Sequence, residues 1–159
     1  MHNNHCKQKG FTLVELIITL LIGSLLLAWG VPEYRELKAR RMVTDITNEI
    51  VTSFTQARAE AVRYGNNVVV SPNGTWQNGW TITAQGVDGN NDELLAIQDP
   101  IDPMVQVSQT GPLVGDVIFN RIGGLEGGLE GEITLVHQTN STYKRTVSIG
   151  LSGSARVQQ

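Results

Sequence analysis

The segment Phe11-Thr12-Leu13-Val14-Glu15-Leu16 opens an apolar stretch that continues to Val31, a length of 21 residues. A helix of this length and composition is sufficient to cross a bilayer. Its only charged residue is Glu15, and the next charge along the chain is Glu33. A carboxylate at membrane depth costs roughly 2.5–3.5 kcal/mol on insertion scales, so Glu15 requires either a partner or a role.

The residues before this stretch are polar and end in Lys7-Gln8-Lys9-Gly10. The junction resembles the prepilin motif of type IV pilins and type II secretion pseudopilins. In that superfamily a membrane peptidase cleaves after the glycine and the new amino terminus is methylated. The resemblance implies a leader at residues 1–10, cleavage between Gly10 and Phe11 by a prepilin peptidase, and methylation of Phe11.

The resemblance also implies a role for Glu15. In a filament of packed N-terminal helices, its carboxylate pairs with the Phe11 amine of a neighbouring subunit, which offsets the burial of both charges and sets the axial register. Two alternatives are an ordinary single-pass anchor whose glutamate snorkels to the surface and a secretory signal peptide. The signal peptide fits less well, since its cleavage site follows the apolar stretch and has small residues.

Charge and cysteine content restrict the function further. The chain has 12 basic and 15 acidic residues, and removal of Lys7 and Lys9 with the leader gives 10 − 15 = −5, which argues against a global attraction to nucleic acid. Cys6 is the only cysteine and leaves with the leader, so the processed chain is expected to have no disulfide. His137 is the only histidine that remains, and no phosphate-binding loop is present. The sequence therefore predicts neither a metal nor a cofactor, and a protein that is not an enzyme.

The distribution of charge around the apolar stretch does not favour an inward amino terminus. Two lysines precede the stretch, whereas four cations follow it: Arg35, Lys38, Arg40 and Arg41. The resemblance nevertheless implies a cytoplasmic leader, a single pass through the inner membrane at residues 11–31, and a periplasmic C-terminal domain.

Helical periodicity continues beyond the apolar stretch. Pro32 is expected to kink or interrupt the helix, and pilins characteristically have a proline here, so the resemblance implies a role for it in assembly. Apolar residues then recur at spacings of three or four, and the repeat consists of Val43, Ile46, Ile50, Phe54, Ala57 and Ala61. The helical pattern runs to Tyr64, and Gly65 is the expected helix stop. We predict one helix from Phe11 to about Tyr64, with residues 32–64 as its amphipathic half.

Residues 65–159 have the short alternating runs and turn residues of a β-rich domain. The predicted strands are Val68–Ser71, Trp80–Ala84, Leu94–Gln98, Val105–Ser108, Val117–Arg121, Glu132–Gln138 and Tyr143–Leu151. The last two are expected to form a hairpin. Trp76 and Trp80 are expected to pack in the core or on the domain surface, and a stacking platform is the alternative. The predicted fold class is α+β, with the long helix packed on an antiparallel sheet, as in the pilin fold.

Two loops carry alternative interpretations. The duplication in residues 123–130 (GGLEGGLE) favours a flexible connection, and a contact loop for a filament neighbour is the alternative. Asp88–Glu93 offers oxygen ligands at alternate positions, as calcium loops do, but it lacks the spacing of an EF-hand, so a tight acidic turn is preferred.

Several later segments narrow the resemblance to minor pilins and pseudopilins of the GspH/FimT type. These are Gln56–Arg63 at the end of the helix, Val68-Val69-Val70, Asn78-Gly79-Trp80, and Val117-Ile118-Phe119 followed by Gly123-Gly124. The resemblance implies a subunit of a type IV pilus or type II secretion pseudopilus, in the initiating or tip complex, whose partners are other minor and major pilins or pseudopilins.

A second hypothesis is a DNA receptor on an uptake pilus. Some competence pilins bind DNA through a C-terminal Gly-Arg-x-Arg element, and Gly153-Ser154-Ala155-Arg156 resembles it with one arginine replaced by serine. Lys144, Arg145 and Arg156 would then contact phosphates. The alternative is that these cations lie on a solvated strand edge, where they discourage edge pairing.

Overall fold

A single helix, α1 (Leu13–Tyr64), occupies the first part of the computed structural model, which describes residues 10–88, 91–127 and 130–158. The predicted helix is confirmed, with its start two residues later than expected. The chain divides into two compact units at Lys38/Ala39, and α1 contributes to both.

The helix continues through Pro32 without a break in its helical assignment, so of the two predicted effects, a kink or an interruption, the interruption is wrong. A proline inside a helix removes one backbone donor and crowds the preceding turn, at a cost of about 3 kcal/mol. At the other end, Gly65 has φ +68° and its N–H donates to the carbonyl oxygen of Ala61 at 3.0 Å. This left-handed residue ends the helix as predicted.

The second unit contains two antiparallel sheets, which confirms the predicted α+β fold class. The described strands are β1 (Val68–Pro72), β2 (Trp80–Asp88), β3 (Asn91–Gln98), β4 (Val105–Thr110), β5 (Val117–Phe119), β6 (Gly131–His137), β7 (Lys144–Ile149) and β8 (Ala155–Gln158). One sheet has the order β3-β2-β1-β5 and the other the order β4-β6-β7-β8. Each of the seven predicted strands is present with altered ends, and β8 was missed because the alternation of Ala155-Arg156-Val157-Gln158 extends over only 4 residues.

The predicted hairpin is confirmed as β6 and β7. Ile133 lies opposite Val147 and Leu135 lies opposite Arg145 in an antiparallel register. Ile133, Leu135 and Val147 are fully buried, which is the one-sided burial that their period-two pattern predicts.

The core lies between α1 and the two sheets. All six residues of the predicted helical stripe are buried, and Phe54 is completely buried among aromatic rings. Its ring centroid is 5.6 Å from that of Trp76, edge to face, and 6.2 Å from that of Phe119. Trp76 donates its indole N–H to the Leu113 carbonyl oxygen at 2.7 Å, and it also packs on Trp80 with centroids 5.6 Å apart. The prediction that both tryptophans pack in the core or on the domain surface is confirmed, with both in the core.

Replacing Phe54 with alanine tests the packing of the helix on the sheets. We expect the free energy of unfolding of the full chain in detergent to fall by about 3–5 kcal/mol, because the change leaves a cavity beside the rings of Trp76 and Phe119. Denaturant titration followed by tryptophan fluorescence measures this. Val62→Ala on the same helix is the matched control, since Val62 is 55% exposed, and equal small losses for the two variants would contradict the assigned core.

The glycine-rich loop after β5 is ordered by specific contacts at residues 123–127, so the prediction of a flexible connection is wrong there. Leu125 forms an isolated bridge with Phe119 and is buried, and its N–H donates to the Leu151 carbonyl oxygen at 3.2 Å. Gly153 has φ +73°, and a Cβ there would lie 2.3 Å from the Gly123 carbonyl oxygen. The two loops therefore pack backbone to backbone, which requires glycine. Gly128 and Leu129 lie outside the described residues.

The acidic segment Asp88–Glu93 joins two paired strands. Asp88 ends β2 and lies opposite Asn91, the first residue of β3, while Asp92 and Glu93 lie within β3. Asp92 accepts the Gly86 N–H at 3.1 Å, and Glu93 accepts the Tyr64 hydroxyl at 3.0 Å. Both carboxylates thus have protein donors as partners. Gly89 and Asn90 lie outside the described residues.

Candidate functional site

The carboxylate of Glu15 is held at the first turn of α1 by a reciprocal capping box. Thr12 directly precedes the helix, and its backbone N–H donates to Glu15 Oε2 at 3.0 Å. The Thr12 hydroxyl donates to the same oxygen at 2.8 Å, and the Glu15 N–H donates to Thr12 Oγ1 at 3.2 Å. The backbone N–H groups of Thr12 and Glu15 have no acceptor within the helix, and the box gives each of them one. This stabilises the start of the helix.

The geometry of this box leaves part of the carboxylate available. Within the part of the chain that the structure describes, both hydrogen bonds to Glu15 end on Oε2, and the residue is exposed. Oε1 can therefore accept a hydrogen bond from a cationic group of another molecule while the capping box stays intact. The Thr12-x-x-Glu15 spacing is a sequence signature of this motif, and the sequence analysis missed it.

The other predicted processing residues lie just outside the helix. Gly10 and Phe11 are exposed and precede α1, so neither is held in helical hydrogen bonds of the described chain. An accessible, non-helical peptide bond at this position is what proteolytic cleavage between Gly10 and Phe11 requires. The rest of the predicted leader, residues 1–9, lies outside the described residues.

The first unit presents a continuous apolar surface. Leu13–Tyr64 is the one helix in the described ranges that is long and apolar enough to cross a membrane by length and composition, and none of its most apolar window is buried. Trp29 is 86% exposed and Leu13 is 74% exposed. Apolar surface on this scale marks a membrane or protein interaction site.

The structure separates the three predicted DNA-contacting cations. Lys144 and Arg145 line one cavity together with Arg40, whereas Arg156 lines another beside Glu130 and Glu132. Arg156 lies opposite Ser148, which is four residues, or about 14 Å of strand, beyond Lys144. The clustering of Arg40 with Lys144 and Arg145 depends on tertiary packing and carries no local sequence signal.

A further polar cluster at the end of α1 was also missed by the sequence analysis. Arg63 forms an ion pair with Glu60 and lies over the Tyr64 ring, with its guanidinium carbon 4.1 Å from the ring centroid. The hydrogen bond to Glu60 raises the pKa of Arg63 above its ordinary value. Burial raises the pKa of the Tyr64 hydroxyl, and the hydrogen bond to Glu93 raises it further. Tyr64 therefore stays a neutral donor that ties the helix end to β3.

Comparison with known proteins agrees with this fold and with the junction at Gly10. Residues 47–153 match the family described as Type II transport protein GspH, and residues 5–31 match the prokaryotic N-terminal methylation motif. Two fimbrial proteins from Pseudomonas aeruginosa are each 31% identical over 105 residues, which is 65% of this chain and 68% of the relative.

Solved structures show the same architecture. Crystal structures of the type IV minor pilin FimU from Pseudomonas aeruginosa PAO1 in two crystal forms superpose with TM-scores of 0.64 and 0.60. Each is 18% identical; they cover 76% and 73% of this chain, and 90% and 92% of FimU. At this identity the similarity shows a shared α+β pilin fold. The chain belongs to the Type II transport protein GspH family, within the type IV pilin-like superfamily of structural pilins.

Proposed function

We propose that this chain is a minor pilin or pseudopilin subunit that assembles into a type IV pilus or a type II secretion pseudopilus. It is made as a precursor with leader 1–10, cleaved after Gly10 by a prepilin peptidase, methylated on Phe11, and anchored in the inner membrane by residues 11–31. Residues 32–64 continue the helix into a periplasmic domain, residues 65–159. The capped Glu15 carboxylate at the start of the apolar, exposed part of α1 that ends at Val31 is the observation that carries the proposal.

The proposed assembly step is a charge pairing in the membrane. Cleavage creates a cationic amine on Phe11, and methylation keeps the charge on nitrogen. The amine of one subunit binds Oε1 of Glu15 in its neighbour, because Oε2 is already satisfied by Thr12. Pairing removes the cost of two isolated charges in hydrocarbon and fixes the axial position of one helix against the next. The capping box supplies the carboxylate with partners before that neighbour arrives.

The proposed place in the filament is the initiating or tip complex, in contact with other minor and major pilins. The fimbrial designation of the two relatives supports contact with other pilins by similarity, and the tip position is part of the proposal. The polar face of α1 and the domain surface would select the neighbouring subunits.

Recovery in sheared filaments tests the proposal. In cells with the complete assembly machinery, we expect an epitope-tagged chain to appear in the sheared filament fraction together with the major subunit. Loss of the prepilin peptidase should leave the chain in the membrane fraction as precursor. If the chain stays in the membrane while filaments form normally and do not require it, a filament role is refuted.

The DNA-receptor hypothesis stays a prediction that the arrangement of charges supports less well. Arg156 lies in a separate cavity from Lys144 and Arg145, and two glutamates line that cavity with it. A phosphate backbone attracted to Arg156 would therefore meet carboxylates as well.

A further inference from the structure

One cavity of the second unit is lined by cations from two elements that are far apart in sequence. It has a volume of about 390 Å³, and the residues that line it include Arg40 of α1 and Lys144 and Arg145 at the start of β7. Thr44 and Thr142 add hydroxyl groups, and no carboxylate is among the described residues that line it. Three cationic residues that line one opening raise the local positive potential, which favours the binding of an anion there.

The position of Arg40 is set by an aromatic contact. Its guanidinium carbon lies 5.3 Å from the centroid of the Tyr143 ring, and both residues line the cavity. Guanidinium groups form paired hydrogen bonds with phosphate oxygens, and a lysine adds a point charge. The chemistry of this cavity thus suits a phosphate ester.

We propose that this cavity binds the phosphodiester headgroup of an anionic phospholipid, and the proposal rests on the membrane insertion of residues 11–31 proposed above. Arg40 follows Val31 by nine residues, so the chain keeps it within about 30 Å of the apolar segment even if fully extended. Trp29 and Tyr34, which are 86% and 68% exposed, are of the residue types that settle at the headgroup level. Because the chain limits this distance, lipid headgroups would be present near the cavity at a high local concentration.

This site also gives a reason for the unusual charge distribution of the sequence. Four cations follow the apolar segment, although the orientation that the family implies places them outside the cytoplasm. Arg40 belongs to the lipid site, and Arg35, Lys38 and Arg41 add attraction to an anionic surface. Headgroup binding would hold the domain at the membrane surface before the subunit enters a filament.

Lipid retention by the purified full chain tests this proposal. The chain in detergent is mixed with equal amounts of phosphatidylglycerol and phosphatidylcholine, and native mass spectrometry counts the lipids retained. We expect wild type to prefer phosphatidylglycerol by at least about five-fold, and Lys144→Gln/Arg145→Gln to lose the preference. The matched control Arg63→Gln/Arg121→Gln removes two exposed cations outside the cavity and should keep the preference. Equal melting temperatures establish that the variants are folded.

The other outcomes overturn the lipid assignment. No lipid preference in wild type, or equal loss in both double variants, would refute a localised site. Displacement of the lipid by millimolar inorganic phosphate would assign the cavity to a free anion. Binding of a DNA duplex that Lys144→Gln/Arg145→Gln abolishes, without lipid preference, would assign it to nucleic acid. Glu15→Ala should retain the lipid preference, so failure of the filament proposal and failure of this one are distinguishable.

Discussion

Replacing Glu15 with alanine is expected to lower recovery of the chain in sheared filaments by about 100-fold while the precursor is still cleaved. Removing one member of a buried ion pair costs about 3–5 kcal/mol, since the remaining charge has no partner, and the Phe11 amine of the neighbour would be left in hydrocarbon. The measurement is quantitative immunoblotting of the filament and membrane fractions. Normal incorporation of Glu15→Ala would contradict the pairing.

Two matched variants separate charge from other effects of this change. Glu15→Gln keeps a side chain that can cap Thr12 but removes the charge, so we expect it to fail in assembly as Glu15→Ala does. Glu33→Ala removes an exposed carboxylate from the same helix beyond the apolar segment and should be incorporated normally. If Glu15→Gln assembles like wild type, the role of Glu15 is helix capping.

Replacing Gly10 with leucine is expected to abolish the processed form of the chain. The residue before the cleaved bond must fit a subsite that the family resemblance assigns to glycine, and leucine adds a four-carbon side chain there. Electrophoresis and intact-mass analysis of membrane fractions measure the ratio of precursor to product. Gly23→Ala is the control, because a Cβ at Gly23 meets no atom within 4 Å in the described chain, and it should be processed normally. Unchanged processing of Gly10→Leu would place the cleavage elsewhere.

The local elements of the fold followed from sequence periodicity. The α1 stripe and the β6–β7 hairpin each have a regular apolar repeat, so their type and buried face could be predicted. The two-sheet arrangement could not, because β5 joins β1 after a separation of about 50 residues and such pairings leave no local pattern. The contact of Arg40 with Tyr143 was missed for the same reason.

The candidate site was predictable to a different degree at each residue. The Lys9-Gly10-Phe11 junction and Glu15 are recognisable because cleavage and charge pairing need particular residues at fixed spacing. The capping box was present in the sequence as Thr12-x-x-Glu15 and was overlooked. The packing of the glycine-rich loop after β5 was not predictable. It depends on burial of Leu125 in the core and on the close approach of Gly153 to the Gly123 carbonyl oxygen.

The mass of the amino-terminal peptide of the mature chain, purified from its own cells, tests the central claim most directly. A filament subunit of this family should begin at Phe11, with the amine methylated, because that cation is the proposed partner of Glu15. The account predicts an amino-terminal peptide that begins at Phe11 and carries one methyl group on its amine. A product that still begins at Met1, or one trimmed beyond Val31, would contradict it.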